Sequence, residues 1–416
     1  MLKSIIRKEI LSNLLSYKFS IIIILSTILI LVSIFVMYRD YCLALENYEI
    51  LRRTKSDDPV VVIPPTPLGI FAKGLDENLC RSYEGGSGGR INASSKQQSL
   101  NNLFKLFTAP DLLYVIKVIL SLCAMLFAFD IVSGEKETGT LRQSLSNSLK
   151  RPILIIGKWI GGFTSFILPF FIAVLLGTAF VSLKPTVDMS PQNWAKLGLF
   201  LLSSVIYLSV FFSLGLLISC LTHQSSSSLV VSLFVWTILV FLIPNLGNIL
   251  ARQLVRIPTV QQLELKREQI QIRRELEVYE RLRTRTWPER MEAHKRFNLE
   301  NEMLGEDYRN RFNSLATISE NITRISPAAA FTFQATDIMG TGMLEERNLK
   351  RAVLQYMQFA GDWDDEKGNR PAFRYQRSSF REVLDQGGLS NCLILILFNV
   401  LFFTGAYVAF LRYDVR

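Results

Sequence analysis

The chain has 416 residues, 49% of them hydrophobic, with 28 Phe and a mean hydropathy of +0.26, which excludes a disordered chain, a fibrous chain and an ordinary soluble enzyme. Its net charge of +10 does not mark a nucleic-acid face. Residues 39–111 hold 9 basic and 9 acidic side chains and residues 251–388 hold 23 and 21, so the surplus lies on the flanks of apolar runs, where it reports membrane orientation.

Residues 1–18, MLKSIIRKEILSNLLSYK, place Leu2, Ile5, Ile6, Ile10, Leu14 and Leu15 at helical spacing with Lys3, Arg7, Lys8 and Lys18 elsewhere on the wheel. Such a helix is expected to lie in the membrane interface. The run Phe19 to Tyr38 follows; it ends in Tyr38, Arg39 and Asp40 without a small-residue cleavage site and is read as a retained span. Residues 39–111 open with a helix around Cys42 to Leu51, then pass through an extended Pro-rich run, Val60 to Pro67, and a Gly-rich run, Glu84 to Gly89. The glycines lack the neighbouring Lys and Ser/Thr of a phosphate cradle and are read as a flexible loop.

Five further spans are expected at Leu112 to Phe129, Ile153 to Val181, Leu197 to Leu221, Leu229 to Leu246 and Leu389 to Leu411. Continuous apolar runs of this kind form helices and not the alternating strands of a barrel. Between spans two and three lies the turn 130–152. Orientation follows from the short flanks: Lys3, Arg7, Lys8 and Lys18, then Lys136, Arg142, Lys150 and Arg151, then Arg412 and Arg416 in the tail 412–416, all fall on one side of six spans. Both termini are then cytoplasmic, and residues 39–111, 182–196 and 247–388 lie outside. In 247–388, the stretches Thr259 to Thr286 and Pro288 to Ser319 read as charged helices, the second with an apolar stripe at Phe297, Leu304, Tyr308, Phe312 and Leu315. Hairpin or bent rod is left open by the sequence; Ser326 to Leu384 reads as a compact cap. The expected fold is an all-α six-span transmembrane bundle with an N-terminal amphipathic interfacial helix and a large helical extracytoplasmic domain.

Catalytic and metal chemistry find little support. There are 2 His, His223 and His294, and no Cys pair has metal-ligand spacing. Gly157 and Lys158 are followed by Trp159 where a nucleotide loop needs Ser or Thr. The acidic run Asp362, Asp364, Asp365 and Glu366 lacks the alternating spacing of a calcium loop. Gly157 and Gly161 form a small-xxx-small packing face, and Pro169 is expected to kink the third span. Ser203, Ser204, Ser209, Ser213 and Ser219 in the fourth span and Asn399 in the last either line a pathway or join helices; Lys117 either snorkels to the outer interface or contacts a substrate. Cys42 and Cys80 share the first outer segment and are a candidate disulfide.

The turn FAFDIVSGEKETGTLRQSLSNSLKRPILIIGKWIG carries the informative order: Asp130 leaving the membrane, Ser-Gly-Glu-Lys-Glu at 133–137, Gly139, Thr140, Leu141 and Arg142, then Arg-Pro leading to Gly-Lys at the next span. Asp130, Glu135 and Glu137 beside Lys136 and Arg142 make a mixed-charge knob suited to a protein contact, with Gly134 and Gly139 permitting tight turns. This string, together with Arg7-Lys8-Glu9 on the first helix, resembles the permeases of type-2 ABC exporters, in a bacterial subset with a large outer insert between spans five and six. The resemblance implies a non-catalytic permease of the inner membrane whose knob docks into a separate cytoplasmic ABC ATPase dimer. ATP and magnesium then belong to that ATPase and no cofactor to this chain. It also implies a second permease copy or a related permease, surrounding lipid and an extracytoplasmic partner, with no nucleic acid. Two readings remain, an exporter or extractor, and a mechanotransmitter that moves the outer domain without passing a substrate. An ion-coupled carrier is disfavoured, since the spans hold almost no acidic residue.

Overall fold

The computed structural model describes residues 2–54, 60–76, 82–86, 90–94, 110–146, 150–281, 287–361, 373–383 and 389–413. Among them are six helices long and apolar enough to cross a membrane. Helix α1 (Leu2–Leu14) precedes α2 (Tyr17–Thr54), whose 38 residues carry the first span and the expected outer helix as one piece about 57 Å long. Strands β1 (Val60–Val62), β2 (Ser82–Gly86) and β3 (Arg90–Ser94) form an antiparallel sheet, Val62 opposite Ser82 and Gly86 opposite Arg90. The expected flexible loop is therefore a strand over Glu84 to Gly86, with residues 87–89 outside the described set.

The second span is α3, built end to end from Leu112–Tyr114, a π-helical stretch Val115–Leu120 and Ser121–Ala128. Two short helices follow, α4 (Ser133–Glu137) and α5 (Thr140–Ser146). Then come α6 (Arg151–Ser182), which runs unbroken through Pro169, and α7 (Pro191–Leu221), which Ser190 caps through the amide of Asn193. Helix α8 joins Ser225–Thr237, a π-helical stretch Ile238–Leu242 and Ile243–Leu254.

Two long helices, α9 (Val260–Arg281) and α10 (Trp287–Thr323), come next. Thr259 and Gln262 cap α9 reciprocally, side chain to amide in both directions. Arg273 meets Glu300 at 3.3 Å and Glu277 meets Arg296 at 3.0 Å, so numbering rises on one arm as it falls on the other: the pair is an antiparallel hairpin. Phe297 is buried in its seam, Leu304, Tyr308 and Leu315 are half-buried, and Phe312 is exposed.

Helix α11 (Pro327–Met339) opens on Ser326, whose hydroxyl accepts from the amide of Ala328 and donates to the carbonyl of Leu239, and ends at Gly340 in the left-handed region, φ 68°. It packs against α7, the π-stretch of α8 and the last span. Helices α12 (Met343–Gly361), α13 (Phe380–Val383) and the last span α14 (Leu389–Leu411) complete the chain. The largest core joins α2, α3, α6 and α7 to α11, and a small one joins Val61 and Ile63 to Leu349 and Val353 of α12.

Candidate functional site

The site is the turn between α3 and α6, and its chemistry is set by which side chains face inward. The amides of Val132 and Ser133 donate to the Ser219 hydroxyl at 3.0 and 2.9 Å, and the Ser133 and Ser228 hydroxyls both donate to the carbonyl of Phe129. These bonds fasten the start of the turn to α7 and α8. Lys136 donates to the carbonyls of Cys220 and Thr222 at the C-terminus of α7 and lies 4.6 Å from the Tyr413 ring centroid, satisfying orphan carbonyls where the helix dipole favours a cation. Arg151 does the same for α14, donating to the carbonyls of Leu411 at 2.8 Å and Tyr413 at 3.1 Å. The amide of Ser225, at the start of α8, donates to Glu137 at 3.0 Å.

Glu135 does not project from a knob. Its carboxylate lies 2.7 Å from the ammonium of Lys158, which also reaches Glu9 of α1 at 3.3 Å and the carbonyl of Ile131 at 3.4 Å. Lys158 is 2% exposed, so it needs these partners: a lone ammonium in an apolar interior is too costly to keep charged. The second oxygen of Glu135 is buried without a hydrogen-bond partner. Asp130, at the other end of the turn, pairs with Lys18 of α2, and Lys18 also lies over the Phe129 ring at 4.9 Å.

Gly157 and Gly161 pack against α1 and not against another span. A Cβ at Gly157 would lie 2.7 Å from Cγ2 of Ile5, and one at Gly161 2.7 Å from Cβ of Glu9, so only glycine admits α1 this close to α6. Gly139 has φ 74°, with open space where a Cβ would stand. Leu141 is buried with Val132, Leu154 and Leu216, anchoring α5 from below. The outward face then consists of Glu137, Thr138, Gly139, Thr140, Arg142 and Gln143, all exposed. Gly134 sits between the two faces, half-buried near Ser225.

Polar residues in the spans join helices. Trp159 donates to the Ser213 hydroxyl at 2.8 Å, Ser213 donates to Asn399 at 3.1 Å, and Asn399 donates to Ser209. Ser203 and Ser204 bond back to carbonyls of their own helix. The π-stretch in α3 turns the Lys117 carbonyl toward its neighbours, and it accepts from Tyr207 at 2.7 Å and Ser121 at 2.6 Å. The Lys117 ammonium itself lies over the Tyr114 ring, 5.9 Å from its centroid. On top of this layer the Phe331 ring of α11 stacks on Tyr207 at 4.3 Å. Among the described residues no group of three or more His, Cys, Asp or Glu side chains converges as a metal site. Cys80 and the run Asp362 to Glu366 lie outside the described residues, and with Cys80 the pairing to Cys42.

A sequence profile described as ABC-2 family transporter protein matches residues 4–415. The chain is similar to the probable ABC transporter permease protein NosY of Stutzerimonas stutzeri, 31% identical over 138 residues, a stretch that is 32% of this chain and 48% of that protein. The chain thus spans about half the length of that relative.

Proposed function

The chain belongs to the ABC-2 family of transporter proteins, and from that premise, which makes it a transmembrane ABC transporter subunit, we propose that residues 130–146 are the element through which a separate cytoplasmic ATPase moves it. The observation that carries this reading is the division of the turn into two faces. Its inward face is bonded to α1 and α6 through Lys158, to α2 through Lys18, to α7 through Ser219 and Lys136, and to α8 through Ser228 at its start, while Glu137 of the outward face holds the Ser225 amide of α8. A displacement applied to the outward face is therefore passed to several spans at once, because packed interiors transmit strain and do not absorb it.

In this reading both termini and the turn lie in the cytoplasm, the membrane is the inner one, ATP and magnesium sit on an ATPase dimer, and the permease pairs with a second copy or a relative. Gly139 supplies the left-handed residue that reverses the chain between α4 and α5, so the outward face keeps one shape in front of the ATPase groove. The work done is export or extraction of a substrate. A transmitter that moves an envelope partner is the second reading, and it is favoured by the ring stack of Phe331 on Tyr207 and by the helical hairpin α9–α10 beyond the spans. An envelope partner at the hairpin and lipid around α1 complete the assembly.

The test uses tagged full-length permease purified with its ATPase. Arg142→Glu combined with Gln143→Glu changes only exposed side chains, whose effect on stability is within about 0.5 kcal/mol. The double variant is expected to lose at least tenfold of the retained ATPase while its melting temperature is unchanged. A full ATPase complement with normal hydrolysis overturns the assignment.

A further inference from the structure

Tyr413, just past the end of α14, joins the last span to the turn. It is half-buried, and three other parts of the chain meet on it. Its carbonyl accepts from the guanidinium of Arg151, the first residue of α6, at 3.1 Å, and the same nitrogen holds the Leu411 carbonyl at 2.8 Å. Its ring centroid lies 4.6 Å from the ammonium of Lys136 in α4 and 6.3 Å from the ring centroid of His223, between α7 and α8. Phe410 and Ala406, about one and two turns back along α14, are buried in one small core with Val132 and Leu141 of the turn and Leu216 of α7.

Lys136 sets what the ring does. An ammonium has three donors, and a half-buried one that has given up part of its water needs partners for them. The carbonyls of Cys220 and Thr222 take two, both at the C-terminus of α7. The face of the Tyr413 ring supplies the third partner, since its quadrupole attracts a cation within about 6 Å of the centroid. The first two partners belong to α7 and the third to the end of α14, so one side chain of the turn holds both span ends. Elsewhere the polar join between these spans is Asn399, bonded to Ser209 and Ser213, and it lies about 21 Å back along α14 from Tyr413. Without the ring, Lys136 pulls on α7 alone, and the end of α14 is left to Arg151 and to the apolar packing of Phe410.

We infer that Tyr413 is a positioning residue of the coupling turn: its ring holds the Lys136 ammonium between the ends of α7 and α14, so that α14 moves with the turn. The inference rests on the reading that residues 130–146 receive the motion of an ATPase, and it adds the last span to those that follow that motion.

The test uses the full-length permease purified with its ATPase, the 5 native cysteines replaced by Ala or Ser. A spin label is placed at Leu401→Cys on α14 or at Leu175→Cys on α6, positions 58 and 64% exposed, and its mobility is compared without nucleotide and after trapping with ADP and vanadate. In the parent, both labels are expected to change mobility on trapping. Tyr413→Leu keeps the bulk and the backbone carbonyl but removes the ring face; it should cut the change on α14 about threefold or more, the size expected of a residue that modulates coupling. The change on α6, which Glu135 drives through Lys158, should persist, and the ATPase should stay bound. Tyr413→Phe keeps the ring face and should match the parent at both labels. A Tyr413→Leu response equal to the parent's on α14, an equal loss on both spans, or a loss with Tyr413→Phe as large as with Tyr413→Leu overturns the inference. A parent that responds on α6 but not on α14 also overturns it and leaves the coupling turn standing, whereas a parent that responds at neither label removes both.

Discussion

Lys158 shows how far a single residue could be read from the sequence. Beside Gly157 it invites comparison with a nucleotide loop, and Trp159 dismisses that. What remains is a lysine inside an apolar run, and a buried ammonium has to find counter-charges. That demand is legible in the sequence; its answer is not, because Glu9 lies 149 residues away and Glu135 lies 23 away. The same distance hides the inward orientation of Glu135, whereas Gly139 announces its positive φ by being glycine in a turn. The triad makes a residue-scale prediction. Lys158→Met leaves two carboxylates facing each other in a poorly solvated site, at a cost of about 2 to 4 kcal/mol, below the full buried-pair value because Glu9 and Glu135 keep some hydration. Thermal melting in detergent should fall, and α1 should become open to protease. Adding Glu9→Gln and Glu135→Gln should recover most of the loss, since the neutral set no longer repels itself. An unchanged melting temperature in the single variant removes the triad as a structural pin.

At the scale of elements, the long helices were readable from composition and caps, and their pairing was not. Arg273 with Glu300 and Glu277 with Arg296 fix the hairpin register only once the arms are known to be antiparallel. Helix α11 was the harder case. Its start, Ser326-Pro327, and its end, Gly340, are clear signals, but a 13-residue apolar stretch is too short for a span and so reads as a cap, whereas it is wedged against α7 and α14. Where α11 meets residues 60–76, Thr341 donates to the carbonyl of Ala72 and accepts the amide of Leu75 at 2.7 Å, and Asp337 is enclosed nearby. Burial pushes the Asp337 carboxyl up from its ordinary 3.8 to about 6; Glu320 adds to the rise, while the Leu344 amide, Arg347 and Arg324 oppose it. The unfolded chain releases this proton near 3.8 and the folded chain near 6, so the folded state binds more protons across that window. The contribution of Asp337 to stability is therefore greatest at low pH and is lost as pH rises through about 6. Asp337→Asn, which keeps an acceptor for Leu344, should raise the melting temperature at pH 7.5 more than at pH 5. Equal shifts at the two pH values would show that Asp337 does not titrate in this window.

For the whole molecule, six spans were legible because backbone in lipid must satisfy itself, which makes each crossing a long apolar helix whatever its neighbours are. Which spans touch was not legible, since apolar runs are interchangeable in composition and differ only in where Ser213, Asn399 or Gly161 stand. Sidedness falls between the two. Basic residues at the turn end suit the positive-inside pattern, yet Lys136 and Arg151 also cap α7 and α14, so part of that charge has a structural cause independent of orientation. A labelling experiment separates the causes. Ser146 and Ser314 are both exposed and each bonds only to a carbonyl within its own helix, so cysteine at either site should leave the fold intact. With the native cysteines replaced, Ser314→Cys in sealed cells should react with an impermeant maleimide, and Ser146→Cys should react only after the membrane is opened. If Ser146→Cys reacts from outside and Ser314→Cys does not, the chain is inverted: the basic residues at the turn then serve capping alone, and the turn faces away from any cytoplasmic ATPase.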